Sequence, residues 1–397
     1  MLATLLTVLI FASWLYWLVA LILVYDFFRS RPATQASFTP PVSLLKPVKG
    51  VDYQAYQNFA AFCQQDYPDY EVLFGVADPS DPIIPVIERL RRDSPAHTIR
   101  VIIGGTFGAN RKASLLHHLA NEAQHDILVA SDSDMRAAPD YLRRVVAPLA
   151  DEQVGLTTCL YLAEAPLTLT AGLEALHMGA TFLPSVLVAR KFLDMRFAMG
   201  ASVALRRRDL ARLGGFAVLA DYLADDYQLG ARIAALGLNV RLSDYVMTCM
   251  LGATSFREQW DREVRWMRCS HVSRPREYPG LLLSFSTPLS AVLIMVNGLG
   301  PATLRILMIS LLLRWIVALF VSLRTGDRHT LAWLPWLPVR DLLSAATWCV
   351  GGLGRRIAWR GETFVLQDDG RMQPAHDLAA QPAEDEQRHR RFRWLRP

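Results

Sequence analysis

Ile127-Leu128-Val129-Ala130-Ser131-Asp132-Ser133-Asp134 sets four apolar residues directly before two carboxylates spaced two apart. A short, wholly apolar run of this kind reads as a strand buried on both faces of a parallel sheet. The texture recurs. Residues 42–45, 71–76 and 100–103 read as further buried strands, separated by helical stretches at 54–64, 82–92 and 112–124. Strand–helix alternation predicts an α/β layer fold with a mostly parallel sheet, whose ligands bind beyond the carboxyl ends of the strands. No internal repeat is visible, and the absence of GxGxxG, GxxxxGK[ST] and GxSxG patterns sets aside dinucleotide-binding, P-loop and α/β-hydrolase readings.

Across 397 residues, 42 Lys+Arg against 37 Asp+Glu leave a net charge of +5, too small and too evenly spread for a dedicated nucleic-acid binder. A hydrophobic content of 52% and a mean hydropathy of +0.19 exclude a disordered chain and point to the membrane. The basic residues are 38 Arg against 4 Lys, a bias that fits a GC-rich bacterial genome. Cys63, Cys159, Cys249, Cys269 and Cys349 form no CxxC pair, so they read as reduced, inert thiols rather than a zinc site or disulfide framework.

Residues 2–25 carry no charge and, at ~1.5 Å per residue, are long enough to span a bilayer core. A cleaved signal peptide would need a charged start and a small-residue cleavage site, and both are missing. Asp26, Arg29 and Arg31 follow, so the positive-inside rule places the N-terminus outside and the chain after Arg29 in the cytoplasm. A second apolar block offers segments 280–304, 306–323 and 331–353, broken by Arg305, Arg314 and the Arg340–Asp341 pair. Three full spans would put Arg355, Arg356 and Arg360 outside, against the rule; the stretch 284–290 or the piece split by Arg340–Asp341 then lies in the interface or re-enters. The tail after Gly370 is polar and Arg-rich, and reads as a solvated or lipid-resting extension.

Acidic and basic residues at the predicted strand ends carry the chemistry. Asp132 and Asp134 can share a hard divalent cation that takes oxygen ligands and substrate phosphates; acidic turns are common, and it is the position after an apolar strand that gives this pair weight. Run 71–76 also ends in acid. Asp81 reads as a helix cap with Pro82 at the first helical position, which leaves Asp78 as the ligand-contact residue. After Met199-Gly200-Ala201-Ser202 leads a short strand, Asp225 and Asp226 open a helix running to about residue 235. The helix dipole alone favours carboxylates there, and an acid at such a terminus can also face a cleft as general base. Residues 256–268 read as a helix with Arg262, Arg265 and Trp266 on one face. Two guanidiniums beside an indole suit a diphosphate flanked by a sugar or an apolar tail, in competition with a solvated basic helix at the membrane surface.

Taken in order, seven stretches resemble one family: Ser43-Leu-Leu-Lys-Pro-Val-Lys-Gly-Val-Asp52, Asp66-Tyr-Pro-Asp-Tyr-Glu71-Val, Ala77-Asp-Pro-Ser-Asp-Pro82, Gly108-Ala-Asn-Arg-Lys112, Ser131-Asp-Ser-Asp134, Tyr222-Leu-Ala-Asp-Asp-Tyr227 and Arg262-Glu-Val-Arg-Trp266. They are similar to the ceramide glucosyltransferases (glycosyltransferase family 21), lipid-directed enzymes of GT-A fold, and their bacterial hopanoid-associated relatives. The family pattern is D, D, D, (Q/R)xxRW. The resemblance implies that Asp78 stands near the nucleotide, Asp132 at the metal and diphosphate, Asp226 as catalytic base, and Arg262, Arg265 and Trp266 at the leaving group and acceptor. Lys46, Asn110 and Lys112 match as residues of the nucleotide-sugar pocket. Two departures stand out. Asp132-Ser133-Asp134 replaces the Asp-Ser-Gly of the animal enzymes, and Asp225-Asp226-Tyr227 replaces Glu-Asp-Tyr. The first strengthens dependence on Mg2+ or Mn2+, held by Asp132 and Asp134, and loosens the tie to ceramide.

The expected organisation is a transmembrane helix at 1–28, a linker at 29–37, a cytoplasmic GT-A domain at 38–279, membrane-embedded helices at 280–354 and a polar, Arg-rich tail at 355–397. The expected function is inverting transfer from UDP-GlcNAc or UDP-glucose to a lipid hydroxyl, a hopanoid or ceramide, in a bacterial inner membrane, with no nucleic-acid partner. A polyprenyl-phosphate glycosyltransferase, a polysaccharide synthase and a non-catalytic membrane scaffold are the alternatives. A synthase normally needs more spans than the short C-terminal block supplies.

Overall fold

The computed structural model describes residues 1–29, 38–359 and 362–376. Arg31, Arg360, most of the linker and the Arg-rich run at the end of the tail lie outside the described residues.

Eight strands form the central sheet: β1 (Val42–Val48), β2 (Tyr70–Val76), β3 (Thr98–Ile103), β4 (Ile127–Ser131), β5 (Met135–Arg136), β6 (Val154–Pro166), β7 (Ser202–Arg206) and β8 (Asn239–Gly252), in the order β3-β2-β1-β4-β7-β6-β8-β5. β1 to β4 run parallel as their apolar texture predicts, β7 is antiparallel to both β4 and β6, and β8 is parallel to β6. Every residue of β1 is buried, because apolar clusters cover both faces of the sheet. The helices Ala55–Phe62, Ile84–Asp93 and Arg111–Glu122 fill the predicted stretches. One start differs. The second helix begins at Ile84 with Ile83 as its N-cap, and Asp81 instead accepts hydrogen bonds from the Gly50 and Ile83 N–H groups, tying two loops together.

β6 and β8, 13 and 14 residues long, run on past the sheet toward the apolar helices. Leu160, Leu162 and Leu242 on this ribbon pack against Trp17, Ala20 and Val24 of the first helix, Leu2–Arg29. Leu5, Val8, Phe11, Leu15, Leu18 and Ile22 leave the opposite stripe of that helix exposed, as a lipid-facing surface requires.

The C-terminal block is arranged differently from the sequence reading. Its long helix is Pro301–Thr325, so Arg305 lies inside a helix and the break falls at Gly298–Gly300. This helix runs parallel to the first: Trp14 bonds Ser310, Arg314 stacks on Trp17, and Arg324 lies over Tyr25. Helix Ser286–Asn297 runs antiparallel beside them, bent by 81° from Tyr278–Ser284. The two helices therefore form a hairpin whose ends lie on the side of the catalytic domain.

Arg340 and Asp341 do not mark a segment boundary; both are buried inside the Leu337–Gly352 helix and paired. The tail is also corrected. β9 (Arg356–Trp359), β10 (Glu362–Leu366) and β11 (Met372–Pro374) make a small antiparallel sheet whose Ile357, Phe364, Leu366 and Met372 pack on Leu223 of the catalytic domain. Among the described residues, Leu2–Arg29, Leu169–Phe192 and Pro301–Thr325 are long and apolar enough to cross a membrane, the second being mostly covered by protein.

Candidate functional site

β1 is flanked by β2 on one side and β4 on the other, so the crevice beyond the carboxyl ends of β1 and β4 is the topological switch point of the sheet. Lys46 reaches it from β1. Its fully buried ammonium donates to the Asp132 carbonyl at 2.6 Å and lies 3.8 Å from the Phe62 ring centroid. Burial pushes Lys46 down to about 7, against the pull of Asp132, Asp134 and Asp52.

Lys112 enters from the first turn of the Arg111–Glu122 helix. Its Nζ is 2.5 Å from Asp132 Oδ1 and 3.9 Å from Asp225 Oδ2. Burial works against its charge, but Asp132, Asp225 and Asp226 hold the ammonium above its ordinary value. Asn110 caps the same helix by accepting from the Ala113 N–H, and its Nδ2 donates to the Tyr222 carbonyl (2.8 Å) and Asp225 Oδ1 (3.2 Å). Fully buried, Asn110 spends its polar atoms within the protein and positions Asp225.

Asp226 opens the Asp225–Ala235 helix, accepting from the Gly200 N–H at 2.8 Å and the Tyr227 N–H at 2.7 Å. Burial, then the charge of Asp225, push its carboxyl up to about 6. A methyl group built on Gly200 would stand 2.9 Å from Lys112 Nζ, 3.3 Å from Asp226 Oδ2 and 3.4 Å from Asp132 Oδ2. Three polar residues from three elements thus converge on one glycine. Gly200→Ala is expected to leave the fold intact and to lower turnover by up to about 10²-fold through displacement of these groups, measured as kcat at saturating donor.

Asp134 Oδ1 is buried without a hydrogen-bond partner, and Oδ2 takes a 3.7 Å contact from the Cys249 thiol. Burial, then Asp132 and Asp52, push this carboxyl up to about 7. Among the described residues no three His, Cys, Asp or Glu side chains group to hold a metal by themselves. An orphaned carboxylate oxygen beside a second carboxylate nevertheless suits a hard cation whose remaining ligands are water and substrate phosphate, so Asp132 and Asp134 fit Mg2+ or Mn2+.

The Phe256–Ser273 helix starts on a capping box formed by Ser255 and Glu258. Arg262 on it pairs with the buried Glu174 at 2.5 Å and keeps a buried Nε without a partner. Trp266 packs on the sheet core. The thiol of Cys269, pushed up to about 12 by burial and then by Asp226, feels Arg265 as the opposing charge, which puts Arg265 and Asp226 in one neighbourhood. Cys249 likewise links Asp134 to Glu174 and Arg262. The structure thus gathers Lys46, Lys112, Asp132, Asp134, Asp226 and the Arg262–Trp266 face around one crevice. Asp78 stands apart on the exposed loop after β2, its carboxylate held below the usual range by the Ser80 hydroxyl and N–H. Sequence reasoning missed Gly200 as a site residue, and also Asp52, which accepts from the Ser133 hydroxyl at 2.5 Å. Asp52 ends the first quoted motif, but nothing in spacing singles it out.

Comparison with known proteins agrees with this architecture. Residues 5–372 match the model of glycosyl transferase family 21. Ceramide glucosyltransferase 3 of Caenorhabditis elegans is 23% identical over 92% of this chain and 81% of its own length; ceramide glucosyltransferase 1 of the same organism is 24% identical over 94% and 82%. A mannosyltransferase from Pyrobaculum calidifontis, solved in complex with GDP-Man and Mn2+, shares the fold with a TM-score of 0.54 and 20% identity, covering 88% of this chain and 98% of that one. A mostly parallel GT-A sheet carrying the ordered acidic and RxxRW motifs, with apolar helices on both flanks, places this chain in glycosyl transferase family 21, the membrane-bound hexosyltransferases of ceramide glucosyltransferase type.

Proposed function

We propose that the enzyme transfers a hexose from a UDP-sugar, with inversion, to the hydroxyl of a membrane lipid. The observation that carries this reading is the convergence of Lys112, Asp132 and Asp226 on Gly200, in a crevice whose flanking ribbon packs directly on the first apolar helix. Asp226 takes the proton of the acceptor hydroxyl as that oxygen bonds to the anomeric carbon and the bond to the UDP oxygen breaks on the opposite face. Its raised pKa keeps it basic enough to accept the proton while still ionised at neutral pH. Lys112 holds Asp132 and Asp225 in register, and Lys46 fixes the Asp132 backbone. Arg262 and Arg265 meet the negative charge of the departing diphosphate, with Trp266 beside the acceptor. Asp132 and Asp134 would hold Mg2+ or Mn2+, which when bound neutralises charge on the same diphosphate. Asp78, on its outer loop apart from these groups, is assigned near the nucleotide by the family resemblance alone.

Ceramide with UDP-glucose follows the names of the relatives. A hopanoid polyol with UDP-GlcNAc is the second reading, favoured by the bacterial-type composition of 38 Arg and 4 Lys, and it places the enzyme in a bacterial inner membrane with the catalytic domain cytoplasmic. The test incubates membranes containing the protein with each labelled donor, with Mn2+ or with EDTA, and follows label into lipid. EDTA-sensitive label that resists mild alkali and mild acid is expected, the working donor choosing between the readings. Acid-labile label would mean a polyprenyl phosphate acceptor, and no lipid label would end the lipid-acceptor reading.

A further inference from the structure

Three segments around the mouth of the crevice carry large apolar side chains that stay exposed among the described residues. Val51 and Tyr53, on either side of Asp52, are 55% and 36% exposed; Leu167 and Leu169, just past β6, are 58% and 46%; Phe256, just past β8, is 54%. Trp260 stacks on Phe256, their ring centroids 6.1 Å apart. These loops form one rim. The Leu167 N–H donates to the Gly252 carbonyl at 2.8 Å, Thr168 Oγ1 donates to the Thr254 carbonyl at 2.9 Å, and a methyl group on Gly252 would stand 2.8 Å from the Tyr53 side chain. Asp52, within the first loop, is hydrogen-bonded to Ser133 of the acidic motif, so the rim borders the catalytic crevice.

The rim is continuous with the lipid-facing surface. Trp315 stands on the exposed stripe of the Pro301–Thr325 helix beside Leu312, Ile316 and Leu319, and its Nε1 donates to the Leu334 carbonyl. The neighbouring Trp333 lays its indole against Gly172. Leu169 precedes Gly172 by three residues, less than one helical turn. A path of contacts and chain neighbours therefore runs from the lipid stripe, through two tryptophans of the kind that favour the bilayer interface, to the rim. Arg257, its side chain 94% exposed, follows Phe256 where a phosphate headgroup would meet it.

We infer that the rim formed by Val51, Tyr53, Leu167, Leu169, Phe256 and Trp260 inserts into the interfacial layer of the membrane that the apolar helices cross, so that the mouth of the crevice opens onto lipid and the acceptor enters sideways without leaving the bilayer. Rim insertion is independent of which sugar is moved; the lateral route rests on the lipid-acceptor reading proposed above. Burying a Leu or Phe side chain in an apolar layer is worth about 10-fold or more in affinity, so each rim residue is a measurable contributor.

The experiment uses the full chain in vesicles of phosphatidylcholine and phosphatidylglycerol with brominated acyl chains, comparing tryptophan quenching of the parent with that of Trp260→Phe. The parent is expected to show a quenched component that the variant lacks. In matched unbrominated vesicles, Leu169→Asp and Phe256→Asp are expected to raise KM for long-chain ceramide by about 10-fold. KM for UDP-glucose and the rate on a short-chain, water-dispersible ceramide should be unchanged, which also certifies folding. Quenching at Trp260 with no lipid labelled by the parent from either UDP-glucose or UDP-GlcNAc would sink the lipid-acceptor reading and leave rim insertion standing. Labelled ceramide with no quenching at Trp260, and aspartate variants equal to the parent on bilayer ceramide, would overturn rim insertion and point to a protein partner instead.

Discussion

Asp226→Asn will lower kcat by about 10²–10⁴-fold, the usual worth of a positioned general base, while the protein stays folded. The stability half follows from the sign of its titration. Burial and Asp225 raise the folded-state pKa from 3.8 to about 6, so the native state binds this proton more tightly than the unfolded chain. That contribution is fully present below pH 3.8 and is lost as pH rises through about 6. At neutral pH the native protein therefore carries an ionised carboxylate at a cost that an uncharged amide avoids. The amide keeps only one of the two acceptor oxygens that take the Gly200 and Tyr227 N–H groups, which offsets the relief of charge, so a thermal midpoint at pH 7 close to the parent's, together with collapsed turnover, is the expected signature. The parent's kcat/KM should fall below pH about 6, tenfold per unit, and the residual activity of Asp226→Asn should lack that acid limb. A folded Asp226→Asn protein with full activity would move the base elsewhere.

Arg340→Met will destabilise the protein by about 3–5 kcal/mol, the expected result of leaving one member of a buried ion pair alone. Arg340 donates to both oxygens of Glu263 at 2.7 and 2.6 Å and to Ser344, and both paired side chains are almost wholly buried. Glu263 follows Arg262 on the motif helix, and Asp341 beside Arg340 takes Arg314, which in turn bonds the Ala180 carbonyl and stacks on Trp17. The chain of pairs ties the motif helix to three of the apolar helices. Combining Glu263→Gln with Arg340→Met removes both charges at once and should recover most of the loss, because paired neutralisation leaves no stranded ion. Denaturation midpoints in detergent measure both. A double variant as unstable as Arg340→Met would show that side-chain volume, and not charge pairing, holds this contact.

The strands were legible because burial on both faces writes itself as uninterrupted apolar runs, and Asp132, Asp134, Asp225 and Asp226 were legible because they follow such runs or open a helix. What escaped notice depends on distance in three dimensions. Gly200 is one glycine among 23 until Lys112, Asp132 and Asp226 are seen to meet beside it. Asp81 had the spacing of a cap, but a partner 31 residues away at Gly50 claimed it. Arg314, Arg340 and Asp341 looked like interruptions of apolar segments, since a sequence shows the cost of a buried charge and hides its counter-ion. The tail misled for a similar reason. Strands of three to five residues with mixed polarity carry little periodic signal, and their packing on Leu223 is a contact across more than 130 positions.

The hairpin Ser286–Thr325 has a consequence for how the protein is made. Among the described residues, the parts pointing away from the catalytic domain are the start of the first helix and the turn around Gly298, Leu299 and Gly300, with Arg305 the charge nearest that turn. With the catalytic domain cytoplasmic, as proposed above, the sheet, the crevice, the motif helix and the small terminal sheet stay on the side where the ribosome delivers them. On that topology none of the described polar elements has to be exported: one helix is threaded, a domain folds in place, and a hairpin is inserted behind it.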